Sequence, residues 1–407
     1  MIVATDMHEQ LESQRDDSLR VLIAGAGVAG VTLAALLRKQ GLHPVVIERM
    51  RTMAHPGYML ALMPLVDPVF DDLDIRQEYL ARSTPLSRYA FHSHRGTRMR
   101  MDDLGALLST HGDYQGIERG ILIDLLSAGG LPVSFDTTID RITFSGSESK
   151  VEFSGAAITA SFDLVVAADG IHSRTRDLLP IGKVDEVDTG WGGWVSWCDP
   201  IGDPTLGEEL WGDGCFLGVY PVKGRLGVFL GGPTERTAIG PVAFADRVRA
   251  DVPKLSERLR SALDAVSADP DPYFWPLTDV RSERWVAAGA VLLGDAAAGF
   301  LPTAGIGAAM AMESAWMLGR MLAHARRADL DAVLAEWERV ERPRVESAQA
   351  NSRVLANLMF RRGPVVAWLR ETIMRALTVK ATLGPIVRLI ADQPDPDEAA
   401  QRVLSGR

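Results

Sequence analysis

Short runs of uninterrupted apolar residues, each followed at once by a glycine or an Asp-Gly pair, occur at three places along the chain. These runs and the residues that follow them are 21–24 with Gly25, 164–168 with Asp169-Gly170, and 291–293 with Gly294-Asp295. An apolar run of this length bounded by turn residues is typical of a strand that is buried on both faces, as in a parallel sheet. The pattern therefore predicts an α/β core with a functional loop at the end of each strand.

A helical pattern follows the first run. Residues 31–40 place apolar side chains on one face, and Gly41 supplies the residue type that commonly ends a helix. A second apolar run at residues 44–47 ends in Glu48. The order of strand, glycine loop, helix and strand predicts a βαβ unit at the start of the fold.

The middle of the chain has an aromatic, strand-like pattern that predicts an antiparallel sheet. One hairpin is predicted about Arg95-Gly96, between residues 88–94 and 97–101, and another turn is predicted at residues 221–226. Residues 244–266 have a helical pattern. The aromatic residues of the predicted sheet include Trp191, Trp194, Trp197, Trp211, Phe216 and Tyr220.

The first glycine loop has the residue types that bind a dinucleotide. Gly25 permits a tight turn, Gly27 lets the backbone approach a pyrophosphate, and Gly30 lets the helix pack on the strand. The helix N-terminus offers N–H groups to the phosphates, and Glu48 lies where an acid binds ribose hydroxyls. A chain with 38 glycines can contain this spacing by chance, so the interpretation rests on the flanking strand, helix and acid.

The two later loops resemble motifs of the class A FAD-dependent monooxygenases, the family with the para-hydroxybenzoate hydroxylase fold. Residues 169–176 resemble its DGxxSxxR motif, which the family uses to contact FAD and NAD(P)H. Residues 294–307 resemble its GD motif, and Arg119 lies where the family places an arginine on the cofactor. The resemblance covers roughly residues 19–340 and implies FAD as the cofactor, with NADPH or NADH as a transient co-substrate.

The resemblance also implies roles for single residues. Asp295 is expected to accept hydrogen bonds from the ribityl chain, and Pro302 to shape the flavin face on which oxygen reacts. Gly305 and Gly307 are expected to open a helix whose N-terminus stabilises negative charge on the reduced ring. Ala298 stands where the family usually has histidine, so a polar group near the flavin is missing.

The predicted cofactor site is extended to neighbouring positions in the same loops. It consists of Gly25, Gly27, Ala29, Gly30, Glu48, Arg49, Arg119, Asp169, Gly170, Gly294, Asp295, Pro302, Gly305, Ile306 and Gly307. No catalytic side chain is predicted, because the flavin carries the redox chemistry. No metal site is predicted either: His92 and His94 share a strand face, but no third ligand lies nearby in the sequence.

The predicted fold is α/β, with a Rossmann-like FAD-binding domain of the GR2 type, an inserted antiparallel-sheet substrate domain and C-terminal helices. The predicted bounds are a disordered tail at 1–18, the FAD-binding domain at 19–80, 115–180 and 280–340, the substrate-binding domain at 81–114 and 181–279, and a C-terminal helical region at 341–407.

Composition excludes several classes of function. The net charge of −10 and the lack of a basic stripe argue against a nucleic-acid partner. Two cysteines among 407 residues give no disulfide framework and suit a reducing cytoplasm, where we expect the protein. The acidic N-terminus does not have the pattern of a signal peptide. Residues 286–312 carry only one charge, but their many alanines and glycines argue against a transmembrane helix.

Basic residues are interspersed with apolar ones near the C-terminus. They are Arg361, Arg362, Arg370, Arg375, Lys380 and Arg388. A basic amphipathic segment can lie on a membrane surface, but helices packed over the FAD-binding domain are the favoured interpretation. Gly363-Pro364 and Gly384-Pro385 are predicted to break this region into short helices.

The resemblance implies a monooxygenase in which NAD(P)H reduces FAD, O₂ adds at the flavin C4a, and the peroxyflavin hydroxylates or epoxidises a bound substrate. The aromatic middle of the chain suggests an apolar substrate, polycyclic or similar to a natural product of secondary metabolism. Two alternatives stay open. One is a reductase or desaturase of the same fold that does not oxygenate; the other is a flavin-bound protein without redox function, such as a cyclase or binding protein. The oligomeric state is not predicted.

Overall fold

A computed structural model of the chain describes residues 1–53, 57–146, 148–154, 158–323, 325–376 and 379–404, with the side chains of residues 364, 376 and 379–382 excepted. The strands are β1 (Ile2–Ala4), β2 (Val21–Ala24), β3 (Val45–Ile47), β4 (Met59–Leu62), β5 (Thr84–Pro85), β6 (Arg88–His92), β7 (Arg98–Asp103), β8 (Gln115–Glu118), β9 (Leu131–Val133), β10 (Thr138–Ser145), β11 (Glu148–Ser154), β12 (Thr159–Phe162), β13 (Leu164–Ala167), β14 (Val184–Cys198), β15 (Leu206–Trp211), β16 (Phe216–Val222), β17 (Arg225–Pro233), β18 (Tyr273–Ser282), β19 (Val286–Ala287), β20 (Ala290–Leu292) and β21 (Ala298–Gly299). The helices are α1 (Met7–Ser13), α2 (Val28–Lys39), α3 (Asp67–Asp72), α4 (Arg76–Arg82), α5 (Leu104–Leu108), α6 (Arg119–Leu126), α7 (Arg174–Asp177), α8 (Thr234–Thr237), α9 (Pro241–Asp251), α10 (Glu257–Ala268), α11 (Gly307–Leu322), α12 (Leu330–Phe360), α13 (Pro364–Ala376), α14 (Val379–Ala391) and α15 (Pro396–Leu404).

The three apolar runs form the centre of one five-stranded sheet with the order β19-β20-β13-β2-β3. All of its pairs are parallel except the edge pair β19–β20. Strands β2 and β13 are buried at every residue, which explains their unbroken apolar sequence. Because the strands run in parallel, their carboxyl ends meet at one edge of the sheet, and the loops that follow them come together there.

A larger sheet has eight strands, in the order β21-β18-β14-β17-β16-β15-β6-β7. Its pairs are antiparallel except β15–β6, which is parallel. The predicted hairpin about Arg95-Gly96 is confirmed as the pair β6–β7. One face of this sheet packs on α9 and α10 through side chains such as Leu217, Leu230 and Leu263. The opposite face is turned toward the loops of the parallel sheet. The predicted α/β fold with an antiparallel sheet and C-terminal helices is therefore confirmed.

The C-terminal helices connect the two sheets. Helix α12 runs for 31 residues, and its Arg353 donates both Nε and Nη2 to the carboxylate of Asp279 in β18, at 2.7 Å each. Asp279 is fully buried, so this pair joins the helix to β18, the strand next to one edge of the eight-stranded sheet. No helix among the described residues is both long and apolar enough to cross a membrane.

One prediction at an end of the chain was wrong. Residues 1–18 are not a disordered tail: β1 pairs in parallel with β9, and α1 begins after Asp6, which accepts a hydrogen bond from the His8 amide at 2.8 Å. The partner strand lies more than a hundred residues away, so no local pattern reveals the pairing. At the other end, the C-terminal region is helical as expected. Its predicted start, residue 341, lies inside α12, which begins at Leu330.

Two predicted helix boundaries also need correction. Residues 244–266 form two helices instead of one, because Pro253 lacks an amide hydrogen and Ser256 caps the start of α10 through the Leu259 amide. The pair Gly384-Pro385 does not end a helix, since α14 continues through Pro385. The flanking Leu383 and Ile386 pack against the core, and this packing offsets the missing hydrogen bond. The side chain of Lys380 lies outside the described residues.

Candidate active site

A cavity of about 990 Å³ lies between the loops of the parallel sheet and the open face of the eight-stranded sheet. Twelve of the fifteen residues predicted to bind the cofactor line it. They are Gly25, Gly27, Ala29, Glu48, Arg49, Arg119, Asp169, Gly170, Asp295, Pro302, Gly305 and Gly307. The other three, Gly30, Gly294 and Ile306, lie behind this wall and shape it by packing.

The first glycine loop leaves room for a phosphate group. A Cβ atom built on Gly27 would meet nothing within 4 Å, and no side chain caps the N-terminus of α2 at this residue. The first amides of the helix therefore keep their capacity to bind an anion in the cavity. Gly30 has the opposite surroundings, because its Cβ would lie 2.0 Å from the carbonyl oxygen of Gly25. The two glycines thus serve different needs, open space at one and close packing at the other.

Glu48 lies at the end of β3 and faces the same loop. Its Oε2 accepts a hydrogen bond from the Ala26 amide at 2.9 Å, and its Oε1 accepts one from the Met50 amide at 3.0 Å. A carboxylate has about four acceptor positions, so capacity remains for two hydroxyl donors. This fits the vicinal hydroxyls of a ribose next to the pyrophosphate site.

The carboxylate of Asp295 is exposed to the cavity. The walls of the cavity surround it, and the resulting desolvation raises the pKa of Asp295 to about 6. Among the described residues no side chain or amide donates a hydrogen bond to it. Gly294 brings it to this place: its φ of +61° suits glycine, and a Cβ there would lie 2.8 Å from the Cβ of Ala29. An acceptor without donors fits a polyhydroxylated chain such as the ribityl group of FAD.

The helix that follows points its N-terminus at the same space. Gly305 has a φ of +61° and ends a short turn that starts at Pro302, and α11 then begins at Gly307 without a side-chain cap. Its 16 residues give this end of the helix a positive partial charge. Pro302 is exposed to the cavity. A ring that gains negative charge on reduction would be stabilised here.

Asp169, which the sequence assigns to the cofactor, also has a local role. Its Oδ2 accepts hydrogen bonds from the amide and the hydroxyl of Thr175, at 3.0 Å each, and its Oδ1 accepts one from Ser173. Ser173 in turn caps α7 through the Arg176 amide at 2.9 Å. The conformation of the DG loop is thus held by its own side chains, and Gly170 presents backbone to the cavity.

Arg119 begins α6 and lies between the cofactor part and the sheet part of the cavity. Its guanidinium carbon is 5.9 Å from the centre of the Tyr58 ring, and the Tyr58 ring is 5.1 Å from that of Trp275. Burial raises the pKa of Tyr58, so it stays a neutral phenol. Tyr58 was missed in the sequence because it follows no recognisable motif. Ala298, by contrast, is buried in β21 and does not line this cavity.

The far end of the cavity is aromatic and belongs to the eight-stranded sheet. Because side chains alternate between the faces of a strand, Trp211, Phe216 and Phe229 face the cavity while their neighbours pack on α9 and α10. Trp194 is packed in that second layer, and Trp191 stacks on Phe360 at 4.4 Å. Both Met59 and Met63 line the cavity. Some aromatic residues of the sheet therefore line the cavity, and others pack in the core.

The polar groups at this end are few. Glu209 accepts hydrogen bonds from Trp211 Nε1 at 2.8 Å and from the Tyr220 hydroxyl at 2.9 Å. Arg100 pairs with Asp102 and donates to the Met374 carbonyl at 3.1 Å. Glu209 was missed in the sequence, although an acid two residues before Trp211 on a predicted aromatic strand was an available signal.

The two histidines of the predicted hairpin have separate partners. Nε2 of His92 lies 2.8 Å from a carboxylate oxygen of Glu208, and His94 contacts Glu371 of α13. The part of the chain that the structure describes contains no group of three side chains that could hold a metal ion. Cys198 and Cys215 are both free and buried.

Comparisons with known proteins show what the chain is similar to. The model of the FAD binding domain family matches residues 18–352. The chain is 27% identical to an aurachin C monooxygenase/isomerase of Stigmatella aurantiaca, over 88% of this chain and 94% of that protein. It is 26% identical to the 2-heptyl-3-hydroxy-4(1H)-quinolone synthase of Pseudomonas aeruginosa, again over 88% and 94%. The crystal structure of Klebsiella pneumoniae HpxO with FAD and uric acid matches the fold with a TM-score of 0.82 and 22% identity, over 92% of this chain and 97% of that one.

Proposed function

We propose that this chain, which belongs to the family of class A FAD-dependent monooxygenases, hydroxylates an apolar, polycyclic aromatic substrate with electrons from NAD(P)H. The family, the cofactor and the class of reaction follow from the comparisons, and the substrate is our proposal. One observation supports it above all others: the wall of predicted cofactor residues continues without a partition into an aromatic chamber. A cofactor whose ring lies at Pro302 and whose ribityl chain lies at Asp295 would therefore face a substrate held against Trp211 and Phe229.

The chain's own residues would bind and orient the two reactants. The amides at Gly27 and the carboxylate of Glu48 would hold the pyrophosphate and a ribose, and Asp295 would hold the ribityl hydroxyls. The N-terminus of α11 would stabilise negative charge on the reduced cofactor. Bound FAD supplies the redox chemistry, accepting hydride from NAD(P)H and delivering one oxygen atom of O₂ to the substrate. The aromatic walls would exclude water from the reacting atoms.

We also propose that different segments of the chain form the FAD site and the substrate site. Residues 19–80, 115–180 and 280–340 would supply the FAD site, and residues 81–114 and 181–279 the substrate site. The strands β6, β7 and β14 to β17 and most of β18 support this division, because they belong to the eight-stranded sheet, to which residues 280–340 add only the end of β18 and the short edge strand β21.

The walls and the relatives favour an aromatic natural product over a small polar compound. The chamber is lined by Phe91, Trp211, Phe216, Phe229, Trp275, Leu358 and Met359. An apolar pocket of this kind gains free energy from burying a large apolar ligand, about 25 cal/mol for each Å² removed from water. Two relatives have names that refer to aurachin C and to an alkylated 4(1H)-quinolone. Alkyl quinolones are therefore the first class to test.

The test begins with an anaerobic titration of the flavin-loaded protein with NADPH and with NADH, following the flavin absorbance. Reduction is expected, and 2-heptyl-4(1H)-quinolone is then supplied with ¹⁸O₂. The proposal expects one labelled oxygen atom in a hydroxylated product. An unlabelled product, or NAD(P)H oxidation that yields only hydrogen peroxide with every aromatic compound tried, would contradict it.

A matched pair of tryptophan variants tests the location of the substrate. Trp211 lines the aromatic chamber, whereas Trp197 is not among the cavity-lining residues and lies under Arg225 at 3.8 Å. Trp211→Ala is expected to raise the KM for the substrate roughly tenfold or more, because a buried aromatic contact is lost. Trp197→Ala should leave the KM within about twofold, and FAD should stay bound in both variants. Equal effects of the two substitutions on KM would show that the substrate does not bind in this chamber.

A further inference from the structure

One carboxylate of the aromatic chamber, partly exposed to the cavity, has no part in the cofactor site. Glu209 lies on β15, and its side chain is directed to the cavity, while those of Glu208 and Leu210 on either side face the opposite layer. Both oxygens are held in place, Oε2 by Trp211 Nε1 at 2.8 Å and Oε1 by the Tyr220 hydroxyl at 2.9 Å. The carboxylate is thus fixed in one position on the chamber wall.

The sheet is built to allow this arrangement. Gly218 lies opposite Glu209 in the pair β15–β16, and a Cβ atom on it would be 2.4 Å from the Tyr220 hydroxyl and 2.6 Å from its ring. Only a residue without a side chain lets the Tyr220 ring lie flat across the strand and reach Glu209. Tyr89 lies beside it, with the two ring centres 6.1 Å apart, and shares a hydrogen bond with Tyr114.

The charge of Glu209 is not compensated within the protein. Its two donors are neutral groups, and within the described residues no lysine, arginine or histidine forms an ion pair with it. Burial raises the pKa of Glu209, although the hydrogen bonds from Trp211 and Tyr220 oppose the rise. A carboxylate has about four acceptor positions, and only two of them are used. An acceptor with free capacity on the wall of an apolar chamber favours a ligand that brings a donor, because a ligand that fills the chamber would otherwise exclude water from it and leave it unsatisfied.

We propose that Glu209 is the residue that recognises the substrate, and that it accepts a hydrogen bond from a ring N–H or aromatic O–H group. This proposal rests on the proposed function and narrows its substrate class to neutral aromatic compounds with such a donor. Substrates that carry a carboxylate at this position are disfavoured, because two uncompensated negative charges would be buried together. Tyr220 and Trp211 are positioning residues that hold the acceptor.

The experiment compares ligands that differ only in the donor. Dissociation constants are measured by fluorescence quenching on the oxidised, flavin-loaded protein, first for 2-heptyl-4(1H)-quinolone and its N-methyl derivative. The second pair is 1-naphthol and 1-methoxynaphthalene. For the wild-type protein we expect the donor member of a pair to bind roughly tenfold or more tightly, as a hydrogen bond to a charged group implies.

The variant Glu209→Gln keeps the volume of the side chain and one acceptor oxygen but removes the charge. We expect it to reduce the preference for the donor member to about threefold or less, with little change for the methylated member. The matched control is Glu208→Gln, on the opposite face of the same strand and paired with His92 at 2.8 Å. It should keep the full preference. Flavin content and thermal unfolding of each variant report whether the fold is intact.

The outcomes separate this proposal from the proposed function. If the wild-type protein prefers the donor member and Glu209→Gln keeps that preference, Glu209 is not the acceptor and the inference is wrong. If the wild-type protein prefers the donor member of neither pair, the inference is also wrong, whatever the protein oxygenates. If only the naphthol pair shows the preference, and Glu209→Gln removes it, the inference holds and the quinolone class fails.

Discussion

The guanidinium of Arg176 donates a hydrogen bond to the backbone carbonyl of Ala296, 3.2 Å away, across 120 residues of sequence. A second bond from the same side chain reaches the Ile171 carbonyl at 3.1 Å. The loop after β13 and the loop after β20 are therefore held together by one buried arginine. Both loops line the cofactor cavity, so the arginine positions two walls of the site although it does not line the cavity itself.

Replacing this arginine is expected to loosen both loops. Arg176→Met removes two hydrogen bonds and leaves the Ile171 carbonyl without this donor, at a cost of about 2–3 kcal/mol in the free energy of unfolding. We also expect weaker FAD binding, because Asp295 and Gly170 lie on the loosened loops. Urea unfolding and flavin titration measure the two effects. The control Arg339→Met, at an exposed ion pair, should change the unfolding free energy by at most about 0.5 kcal/mol. Unchanged FAD affinity in Arg176→Met would show that the link does not position the site.

Asp295 is expected to lower the stability of the flavin-free protein at neutral pH but to strengthen the binding of FAD. Its pKa is about 6 in the folded protein, compared with the ordinary value of 3.8. Between these two pH values the folded, flavin-free protein therefore holds a proton on Asp295 that the unfolded chain has released. The stability of the flavin-free protein therefore falls as the pH rises from about 4 to 6. Asp295→Asn should raise the melting temperature of the flavin-free protein above pH 6 and leave it nearly unchanged below pH 4.

With FAD the same substitution should be harmful. Loss of a charged acceptor for hydroxyl groups weakens binding by roughly tenfold or more. Calorimetric titration of the flavin-free protein with FAD measures the change. Asp185→Asn, at an exposed carboxylate on β14, is the control. It should alter neither the FAD affinity nor the melting temperature of the flavin-free protein. A drop in melting temperature without FAD at pH 8 would contradict the assignment of an unpaired carboxylate.

The sequence could predict the parts of this site that follow locally from chain geometry. Strands buried on both faces leave apolar runs, and the loops after them need glycine where backbone approaches backbone, as at Gly25 and Gly30. The parallel order then brings Asp169 and Asp295 to one edge without any knowledge of side-chain packing. For this reason the predicted cofactor residues lie around a single cavity.

The remaining features depend on contacts between distant segments. The pairing of β1 with residues 131–133 has no local signal, and neither does the reach of Tyr58 toward Arg119. Glu209 shows the limit most clearly, because its orientation depends on the pairing with Gly218 and on the ring of Tyr220. Alternation on the strand could have placed Glu209 on the face of Trp211, but only the sheet register shows which groups complete the cluster.

Gly218 offers a test of that cluster. Gly218→Ala places a Cβ 2.4 Å from the Tyr220 hydroxyl, so the ring must move and its hydrogen bond to Glu209 is lost. We expect the free energy of unfolding to fall by about 1–3 kcal/mol and the preference for donor ligands to weaken. Gly120→Ala is the matched control, since its Cβ would meet nothing within 4 Å on helix α6. It should be neutral or stabilise the protein by up to about 1 kcal/mol. Equal effects of the two changes would contradict the packing described for Tyr220.

The ion pair between Arg353 and Asp279 predicts a non-additive result. Asp279→Leu leaves Arg353 without its partner at a buried position, which typically costs about 3–5 kcal/mol. The double variant Arg353→Met with Asp279→Leu replaces both charges by apolar groups. We expect it to lose much less than the sum of the two single variants. A double-mutant cycle in urea measures the coupling, and strictly additive losses would show that the two side chains do not depend on each other.

The pH dependence of stability gives a last prediction, on helix α12. Burial and the nearby Glu313 raise the pKa of Glu341 to about 8 from its ordinary 4.5, whereas a hydrogen bond from Arg339 lowers the pKa of Glu336 on the same helix. Glu341 therefore binds a proton more tightly in the folded state, and its ionisation removes stability as the pH rises from about 4.5 to 8. Glu341→Gln should give a gain in melting temperature that grows over this interval and stays constant above it.

Glu336→Gln should have the opposite sign, because a carboxylate with a lowered pKa stabilises the folded state at pH values above its ordinary pKa. Its loss should be present at pH 7 and disappear below the lowered pKa of Glu336. Thermal unfolding of both variants at pH 3, 5, 7 and 9 makes the comparison within one helix. A uniform loss at every pH in Glu341→Gln would mean that the side chain is needed for its hydrogen bond from Ser314 at 2.9 Å and that its ionisation does not limit stability.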